Sequence, residues 1–161
     1  MSRVIRPAEV RDAPAIGRLH VECWREAYGH FLSAEFLDAR DPVDNGRRWR
    51  ATLERPADGT TVAVLEVDGE LRGFAMSGPT VDEDRPRDLQ LYSVYQLATE
   101  HGTGSGAELM QAVLGDAPAS LWVADLNPRA HAFYAKHGFA FDGVRKTESS
   151  WEDLVELRMI R

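Results

Sequence analysis

The stretch from Glu100 to Met110 (EHGTGSGAELM) constrains the fold more than any other part of the sequence. Gly102, Gly104 and Gly106 alternate within it, after an aromatic and β-branched run at 89–97 and before a helical apolar pattern. Glycine is favoured where the backbone takes a positive φ or approaches another group closely. Free N–H groups at a helix start, together with the helix dipole, bind anions. The stretch therefore predicts an anion-binding turn between a strand and a helix, with a tight turn that holds no ligand as the alternative.

The remaining sequence alternates between strand and helix patterns in the order β, helices, ββ, β, α, β, α, ββ, which indicates an α/β (α+β) fold. The unit at 89–124 predicts a right-handed parallel crossover. No linker is evident, so we expect residues 1–161 to form a single domain. The predicted strands are 3–6, 61–67, 70–77, 89–97, 120–124, 139–147 and 150–160, with a hairpin at Asp68-Gly69 and a loop over 79–87. The first predicted helix is capped by Asp12 and has Pro14 in its first turn, and one or two short helices follow over 33–53, broken near Asp41-Pro42. Two more helices are predicted, one after the glycines and one from Asn127 to Gly138.

Two other nucleotide-binding motifs fit the same glycines. Residues 102–107 contain GxGxxA, a dinucleotide fingerprint, and Asp125 lies about 20 residues on, where a ribose-binding acid belongs. The run from Glu100 also matches the first motif of methyltransferases that use S-adenosylmethionine. Both folds place this loop after their first strand, with most of the sheet still to come. Here about 100 residues precede the loop and about 55 follow it, which argues against both.

Three segments together resemble the GNAT (N-acetyltransferase) superfamily. They are the first strand and helix (IRPAEVRDAPAIGRLHVECWREAY, 5–28), the glycine loop from His101 to Gly106, and NPRAHAFYAKHGF at 127–139. The resemblance covers essentially the whole chain. It implies a GNAT fold, with a central mixed, mostly antiparallel sheet of about seven strands flanked by about four helices, and a splayed parallel strand pair at the cofactor site.

The resemblance also implies a cofactor, acetyl-CoA, as the acetyl donor. The backbone amides of the loop would hold its pyrophosphate, the strand end would pair with its pantetheine, and an asparagine would contact it. These predicted cofactor-binding residues are Val94, Gln96, His101, Gly102, Thr103, Gly104, Ser105, Gly106, Ala107 and Asn127. His101 stands where the family usually has Arg or Gln, and a neutral imidazole holds phosphate more weakly than a guanidinium.

Tyr134 is the general acid that the resemblance implies. Acetyl transfer to an amine passes through a tetrahedral oxyanion, which a strand N–H near Val94–Gln96 could stabilise. The leaving thiolate then needs a proton, and a thiol pKa of about 8.5 against a tyrosine pKa of about 10 makes donation uphill by roughly 2 kcal/mol. Asn127 and Tyr134 are seven residues apart, so both face one groove. The alternative is a core aromatic on the buried stripe of the helix.

A second departure from the family lies among the residues predicted to bind the amine acceptor. Gln90 sits where many members have a glutamate base, and an amide cannot take a proton. The amine would then lose its proton to water, or through waters to Asp88, Glu83 or Glu26, and the sequence does not choose among these. The predicted substrate-binding residues are Trp24, Tyr28, Gln90 and Tyr92. For Trp24 and Tyr28 the alternative is plain helix packing.

Composition excludes several classes. The net charge of −7 argues against nucleic acid as a partner, and the cluster Asp82-Glu83-Asp84 favours slightly a cationic acceptor. The histidines show no metal-binding spacing, and a single cysteine, Cys23, excludes a disulfide or a multi-cysteine metal site, so we expect no metal. No apolar run is long enough to span a bilayer or to serve as a signal peptide, so we expect no membrane partner and a cytoplasmic location.

These observations predict an N-acetyltransferase that moves an acetyl group from acetyl-CoA to a primary amine of a small molecule or peptide, by direct attack through a tetrahedral intermediate. One alternative is an acyl-CoA-binding sensor module with lost catalysis. A remote alternative is the S-adenosylmethionine-dependent methyltransferase. Dimerisation is common in the family, and a homodimer through the final strands is an option that this sequence leaves open.

Overall fold

A seven-stranded sheet in the order β1-β2-β3-β4-β5-β7-β6 organises the computed structural model, which describes residues 1–161. The parallel β4-β5 pair interrupts an otherwise antiparallel sheet. The strands are β1 Arg3–Pro7, β2 Thr61–Val67, β3 Glu70–Pro79, β4 Leu89–Gln96, β5 Ala119–Ala124, β6 Ala140–Glu148 and β7 Leu154–Ile160. The helices are α1 Ala13–Tyr28, α2 Ala34–Asp38, α3 Pro42–Glu54, α4 Ser105–Leu114 and α5 Pro128–Lys136. This confirms the predicted mixed, mostly antiparallel fold class, with five helices because the segment at 33–53 forms two.

Local turn chemistry behaves as its residues dictate. Asp68 and Gly69 both take positive φ (50° and 84°) and close the β2-β3 hairpin in two residues.

The predicted cap at Asp12 is wrong in one respect. Helix α1 does begin after it, but its carboxylate does not cap the helix and instead accepts hydrogen bonds from Arg6 at 2.8 and 2.9 Å. These hydrogen bonds hold the pKa of the Asp12 carboxyl below its usual value.

Helices cover both faces of the sheet, and β2 shows how the strands divide between them. Ala63, Leu65 and Val67 pack with helix α4 in one cluster, while Val64 packs with α1 and α3 in the other. This is the period of two that an extended strand imposes. None of the helices is both long and apolar enough to cross a membrane.

The β4-β5 pair is joined over only two residue pairs, Leu89 with Ala119 and Gln90 with Ser120. Beyond these pairs the two strands part. On its other edge β4 carries a bulge, because Tyr92 is an extra residue between the pairs that join it to β3. Its hydroxyl donates to the carbonyl of Pro79, and its ring lies over Gly78, where a Cβ would come within 2.7 Å of the hydroxyl. The bulge changes the alternation of β4 just where the strands separate.

His20 joins α1 to α3 inside the second cluster. Its Nδ1 accepts a hydrogen bond from Trp49 Nε1 at 3.1 Å, and its ring lies 3.8 Å from that of Trp24. Burial lowers the pKa of His20 from 6.5 to about 3, because the charged imidazolium would lose its hydration. The folded protein therefore keeps this histidine neutral well below neutral pH.

We predict that replacing His20 with glutamine flattens the acid dependence of stability. The pKa is lower in the folded than in the unfolded chain, so the unfolded chain binds more protons between the two values and stability falls as pH drops through about 6.5. From pH 7 to pH 5 this group should remove about 2 kcal/mol from the free energy of unfolding. Urea unfolding of wild type and His20→Gln at both pH values measures the difference, since the amide can still accept from Trp49. Equal losses in the two proteins would contradict the assignment.

Candidate active site

A cavity of about 940 Å³ opens where β4 and β5 part. Its walls come from α1, from the part of β4 after the bulge, from the glycine loop, from the end of β5 and from α5. The structure brings most of the predicted site residues to this one space. The predicted residues that line it are Tyr28, Tyr92, Val94, Gln96, His101, Gly102, Thr103, Gly104, Gly106, Ala107, Asn127 and Tyr134.

The glycine loop presents backbone donors to the cavity. Gly102 and Gly104 have φ of 78° and 88°, and Gly104 precedes the first residue of α4. The N–H groups of Gly102, Gly104, Gly106 and Ala107 meet no acceptor in the chain. A Cβ on Gly102 would meet no atom within 4 Å, so this backbone faces open space. The predicted anion-binding turn thus has the geometry it needs, with free donors at the positive end of a helix.

Ser105 has an internal role instead of lining the cavity. Its side chain is fully buried, donates to Gln96 Oε1 and lies 2.9 Å from Thr103 Oγ1. Thr103 Oγ1 in turn donates to the carbonyl of Glu100 at 2.6 Å. These bonds tie the end of β4 to the loop and to the first turn of α4. They fix the direction in which the glycine N–H groups point.

Two arginines beside the loop were not singled out by the sequence analysis. Arg3 on β1 donates to Thr103 Oγ1 at 3.0 Å, and Arg129 in the first turn of α5 lines the cavity. Burial, followed by the charge of Arg129, lowers the pKa of His101, so this histidine is uncharged at neutral pH. Arg129 thus places a permanent positive charge near the position where His101 lacks one. The signal was present in the quoted motif, as the residue that follows Asn127-Pro128.

Seven aromatic residues line the cavity, and we call the five that lie outside α5 the aromatic wall: Tyr28, Phe31, Tyr92, Tyr95 and Trp122. The Tyr28 and Tyr95 hydroxyls share a hydrogen bond at 3.1 Å. Trp24 is absent from this wall, contrary to the prediction. It stacks on His20 and meets the ring of Trp151 edge-on at 5.2 Å, so it supports the wall from behind.

Gln90 also lies outside the cavity, contrary to the prediction. It is buried, and its amide oxygen accepts from the Thr80 hydroxyl at 3.2 Å and the Val81 N–H at 3.0 Å. Its position before the bulge, where β4 is still paired with β5, keeps it from the gap. Gln90 therefore anchors the loop that follows β3.

Tyr134 and Asn127 meet the cavity from α5. The hydroxyl of Tyr134 makes no hydrogen bond within the chain, while its ring packs against Phe133 and Phe139 at 5.2 and 5.9 Å. Burial raises the pKa of Tyr134 well above its usual value, so the phenol stays protonated. Asn127 Oδ1 caps α5 by accepting from Ala130 N at 3.1 Å. Because Oδ1 is used in the cap, the amide NH₂ of Asn127 is the group that remains available to a ligand.

The two aspartates of the acidic cluster at 82–84, which the sequence associated with a cationic acceptor, are paired within the chain. Arg158, only 5% exposed, lies 2.6 Å from Asp142, 2.8 Å from Asp84 and 3.5 Å from Asp82. Asp82 also accepts from the indole N–H of Trp122 at 3.1 Å. The aspartates of the cluster are therefore engaged by an internal cation, and they hold the loop after β3 against β7.

The family model described as Acetyltransferase (GNAT) family matches residues 14–139. The N-acetyltransferase YuaI of Bacillus subtilis is 28% identical over 172 aligned positions, which cover 97% of this chain and 96% of the relative. Among solved structures, PaiA N-acetyltransferase from Thermoplasma acidophilum in complex with coenzyme A has a TM-score of 0.72 at 18% identity, covering 98% of each chain. YncA from Salmonella typhimurium, solved with its cofactor acetyl-CoA, has a TM-score of 0.70 at 18% identity, covering 100% of this chain and 94% of its own. At such identities the structural likeness shows the fold.

We predict that replacing Arg158 with glutamine lowers the free energy of unfolding by about 3 kcal/mol, since it leaves carboxylates without their buried cation. The matched control is Arg145→Gln, which removes an exposed arginine 3.4 Å from Asp125 and should cost under about 1 kcal/mol. Urea unfolding measures both variants. Limited proteolysis should cut the loop at 80–88 faster only in Arg158→Gln. Equal losses of stability would contradict the role of Arg158.

Proposed function

The chain belongs to the acetyltransferase (GNAT) family, and on this basis we propose that it moves an acetyl group from acetyl-CoA to a primary amine of a small molecule or peptide, by direct attack. One observation carries the proposal. A single cavity connects the unpaired N–H groups of the glycine loop with the free hydroxyl of Tyr134, through the gap between β4 and β5.

The residues at the loop end of the cavity fit a pyrophosphate. Four backbone N–H groups and the dipole of α4 would hold its oxygens. Arg129 adds a fixed positive charge that the neutral His101 does not supply. We expect His101 to contribute shape and a hydrogen bond there. The phosphate charge would therefore be balanced chiefly by the backbone and by Arg129.

The parted strands fit an extended pantetheine arm. β4 has no partner strand on its β5 side after Gln90, so backbone groups near Val94 and Gln96 are available to an extended ligand. A strand N–H at this point would also stabilise the oxyanion formed when an amine attacks. Asn127, whose NH₂ group is free of the helix cap, faces the same space from α5.

Tyr134 is the group we propose to protonate the leaving thiolate, while acetyl-CoA supplies the thioester. Its hydroxyl is free of other hydrogen bonds, and its raised pKa keeps the proton available at neutral pH. A raised phenol pKa makes donation harder by itself. Desolvation in the same cavity also raises the proton affinity of the thiolate, which offsets that cost. The pKa of the Tyr134 hydroxyl and the pKa of the thiol that it protonates are therefore raised together.

The rival reading within the family is an acyl-CoA-binding sensor without catalysis. It would keep acetyl-CoA binding and show no turnover with amines. The S-adenosylmethionine reading is disfavoured by the family membership and by the mostly antiparallel sheet. It predicts binding of S-adenosylmethionine in place of acetyl-CoA.

Replacing Gly102 with alanine should weaken acetyl-CoA binding about tenfold, because the new methyl group enters the space that the pyrophosphate needs. The matched control is Gly69→Ala in the β2-β3 hairpin, since Gly69 has the same positive φ and open surroundings but lies outside the cavity. Both changes should cost about 1 kcal/mol of stability through backbone strain. Calorimetric titration with acetyl-CoA distinguishes them.

Failure of the wild type to bind acetyl-CoA would contradict the proposed cofactor. At 100 times its dissociation constant, a ligand adds about 2.7 kcal/mol, which for a domain of this size raises the melting temperature by roughly 5–10 °C. Equal weakening by Gly102→Ala and Gly69→Ala would show that the loop does not contact the ligand.

Replacing Tyr134 with phenylalanine should lower kcat at least about 100-fold with a primary amine, because the thiolate loses its proton donor. The melting shift with acetyl-CoA should stay as in wild type, since the ring and its packing remain. Thiol release and melting curves measure the two effects. An unchanged kcat would assign Tyr134 to packing only, and binding without turnover in the wild type would favour the sensor.

A further inference from the structure

An ammonium group must lose a proton before its nitrogen can attack a carbonyl carbon, and the three acids considered from sequence do not meet that need. Asp88 has a side chain that is 97% exposed and pairs with Arg85. Glu83 is exposed and does not line the cavity. Glu26 lines the cavity, but its carboxylate accepts the N–H of Ala98 at 2.8 Å, beside the start of the glycine loop. The proton acceptor is therefore to be sought on other elements.

Strand register places Glu156 of β7 beside two residues of the cavity wall, although Glu156 itself is not one of the lining residues. Glu156 lies directly opposite Ala124, the last residue of β5, and opposite Lys146 of β6. Directly opposed residues of antiparallel strands project to the same face of a sheet, as do residues two apart on one strand. Glu156 therefore shares a face with Ala124 and with Trp122, both of which line the cavity.

The carboxylate of Glu156 is unusually free for its burial. Its side chain is 20% exposed, accepts no hydrogen bond from the chain, and has only Lys146 Nζ nearby, at 3.9 Å. By contrast, Asp82, Asp84 and Asp142 on this side of the molecule are all held by Arg158. Glu156 thus keeps a half-buried carboxylate that no donor of the chain occupies.

Lys146 links Glu156 to the aromatic wall, because its Nζ lies 3.9 Å from the Glu156 carboxylate and over the ring of Trp122. Burial raises the pKa of the Glu156 carboxyl, while Lys146 lowers it and Glu148 raises it. On α1, burial raises the pKa of Tyr28, and the charge of Glu156 adds to that rise. Lys146 itself is drawn over the Trp122 ring at 4.4 Å. A carboxylate, an aromatic surface and a displaceable ammonium thus already lie together, which is the environment an amine substrate would need.

We propose that Glu156 is the general base of the acceptor site, an inference that rests on the proposed function. The substrate ammonium takes the place of Lys146 beside Glu156 and gives one N–H proton to its carboxylate, which releases a neutral amine. The amine nitrogen forms a bond to the thioester carbon, and the C–S bond breaks. The thiolate takes its proton from the Tyr134 hydroxyl, and the nitrogen's second proton passes to the resulting tyrosinate as the amide forms. Glu156 returns its proton to solvent, so one proton is released per turnover and the charges balance.

The acceptor class follows from the same surroundings. Tyr28, Phe31 and Trp122 offer apolar and π surface, and the Glu156 carboxylate lies beside Lys146, whose ammonium sits over the Trp122 ring. This arrangement fits a primary amine on an apolar or aromatic body, because the cation–π attraction that holds Lys146 over Trp122 is available to the substrate ammonium. It fits a polycation less well, since Arg158 occupies the other aspartates.

The test compares Glu156→Gln with Glu148→Gln, a matched control that removes the other carboxylate from Lys146, at 3.3 Å. The probes are 2-phenylethylamine, spermidine, glucosamine and a peptide with an N-terminal alanine, each with acetyl-CoA, followed by thiol release from pH 5 to 9. We expect wild type to favour 2-phenylethylamine and Glu156→Gln to lose about 100-fold in kcat. The melting shift with acetyl-CoA should be the same in all three proteins.

The pH profile separates a base from a structural or binding group. Wild-type kcat/KM should rise through an acid limb as Glu156 loses its proton and then level off. Glu156→Gln should instead rise about tenfold per pH unit up to pH 9, because only free amine then reacts. Added formate should partly restore Glu156→Ala.

Several outcomes would overturn the inference. An unchanged pH profile in Glu156→Gln, a raised amine KM with normal kcat, or equal losses in Glu148→Gln would each remove Glu156 as the base. Turnover that favours spermidine over 2-phenylethylamine would remove the proposed acceptor class. If wild type binds acetyl-CoA yet acetylates no amine of the panel, the proposed function fails as well. If wild type turns over amines normally and Glu156→Gln changes neither kcat nor the pH profile, the proposed function stands. Only the assignment of Glu156 as the base is then overturned.

Discussion

The early separation of β4 from β5 is the constraint on which the rest of the structure depends. Two residue pairs join the strands, and beyond them the backbone edges face each other without hydrogen bonds. Unpaired strand edges are costly inside a protein unless water or a ligand can reach them. The chain keeps them apart with the bulge at Tyr92 on one side and the tie from Ser105 to Gln96 on the other. The cavity is therefore a consequence of how the sheet is built.

Charge is distributed along this cavity in a way that suits two different partners. The glycine loop and Arg129 make one part favourable for an anion. Beside the aromatic wall, the carboxylate of Glu156 is left without a hydrogen bond, while Arg158 neutralises the other acids nearby. His101 contributes no charge at neutral pH. Opposite charges at separate places are what the proposed phosphate-bearing donor and cationic acceptor would require.

Much of the fold and about half of the site were predictable, and particular residues show why. Spacing placed Asn127 and Tyr134 on one groove, and the family resemblance joined the glycine loop to them; all three line one cavity. Trp24 and Gln90 were expected there and lie elsewhere. Both lie on elements that do contribute to the cavity. The bulge in β4 and the stacking of Trp24 on His20 decide that these two side chains do not line it. Patterns along one element do not reveal such choices, because the partner comes from another part of the chain.

What the sequence determined by itself is therefore local. The Asp68-Gly69 hairpin and the glycine loop follow from φ values that neighbouring residues set on their own. What only the tertiary structure decided is which charges meet. Arg158 reaches Asp84 across 74 residues of sequence, and the register of β7 sets Glu156 opposite Ala124, a residue of the cavity wall. Ion pairing and strand register depend on distances in space, and these exist only after the sheet has assembled.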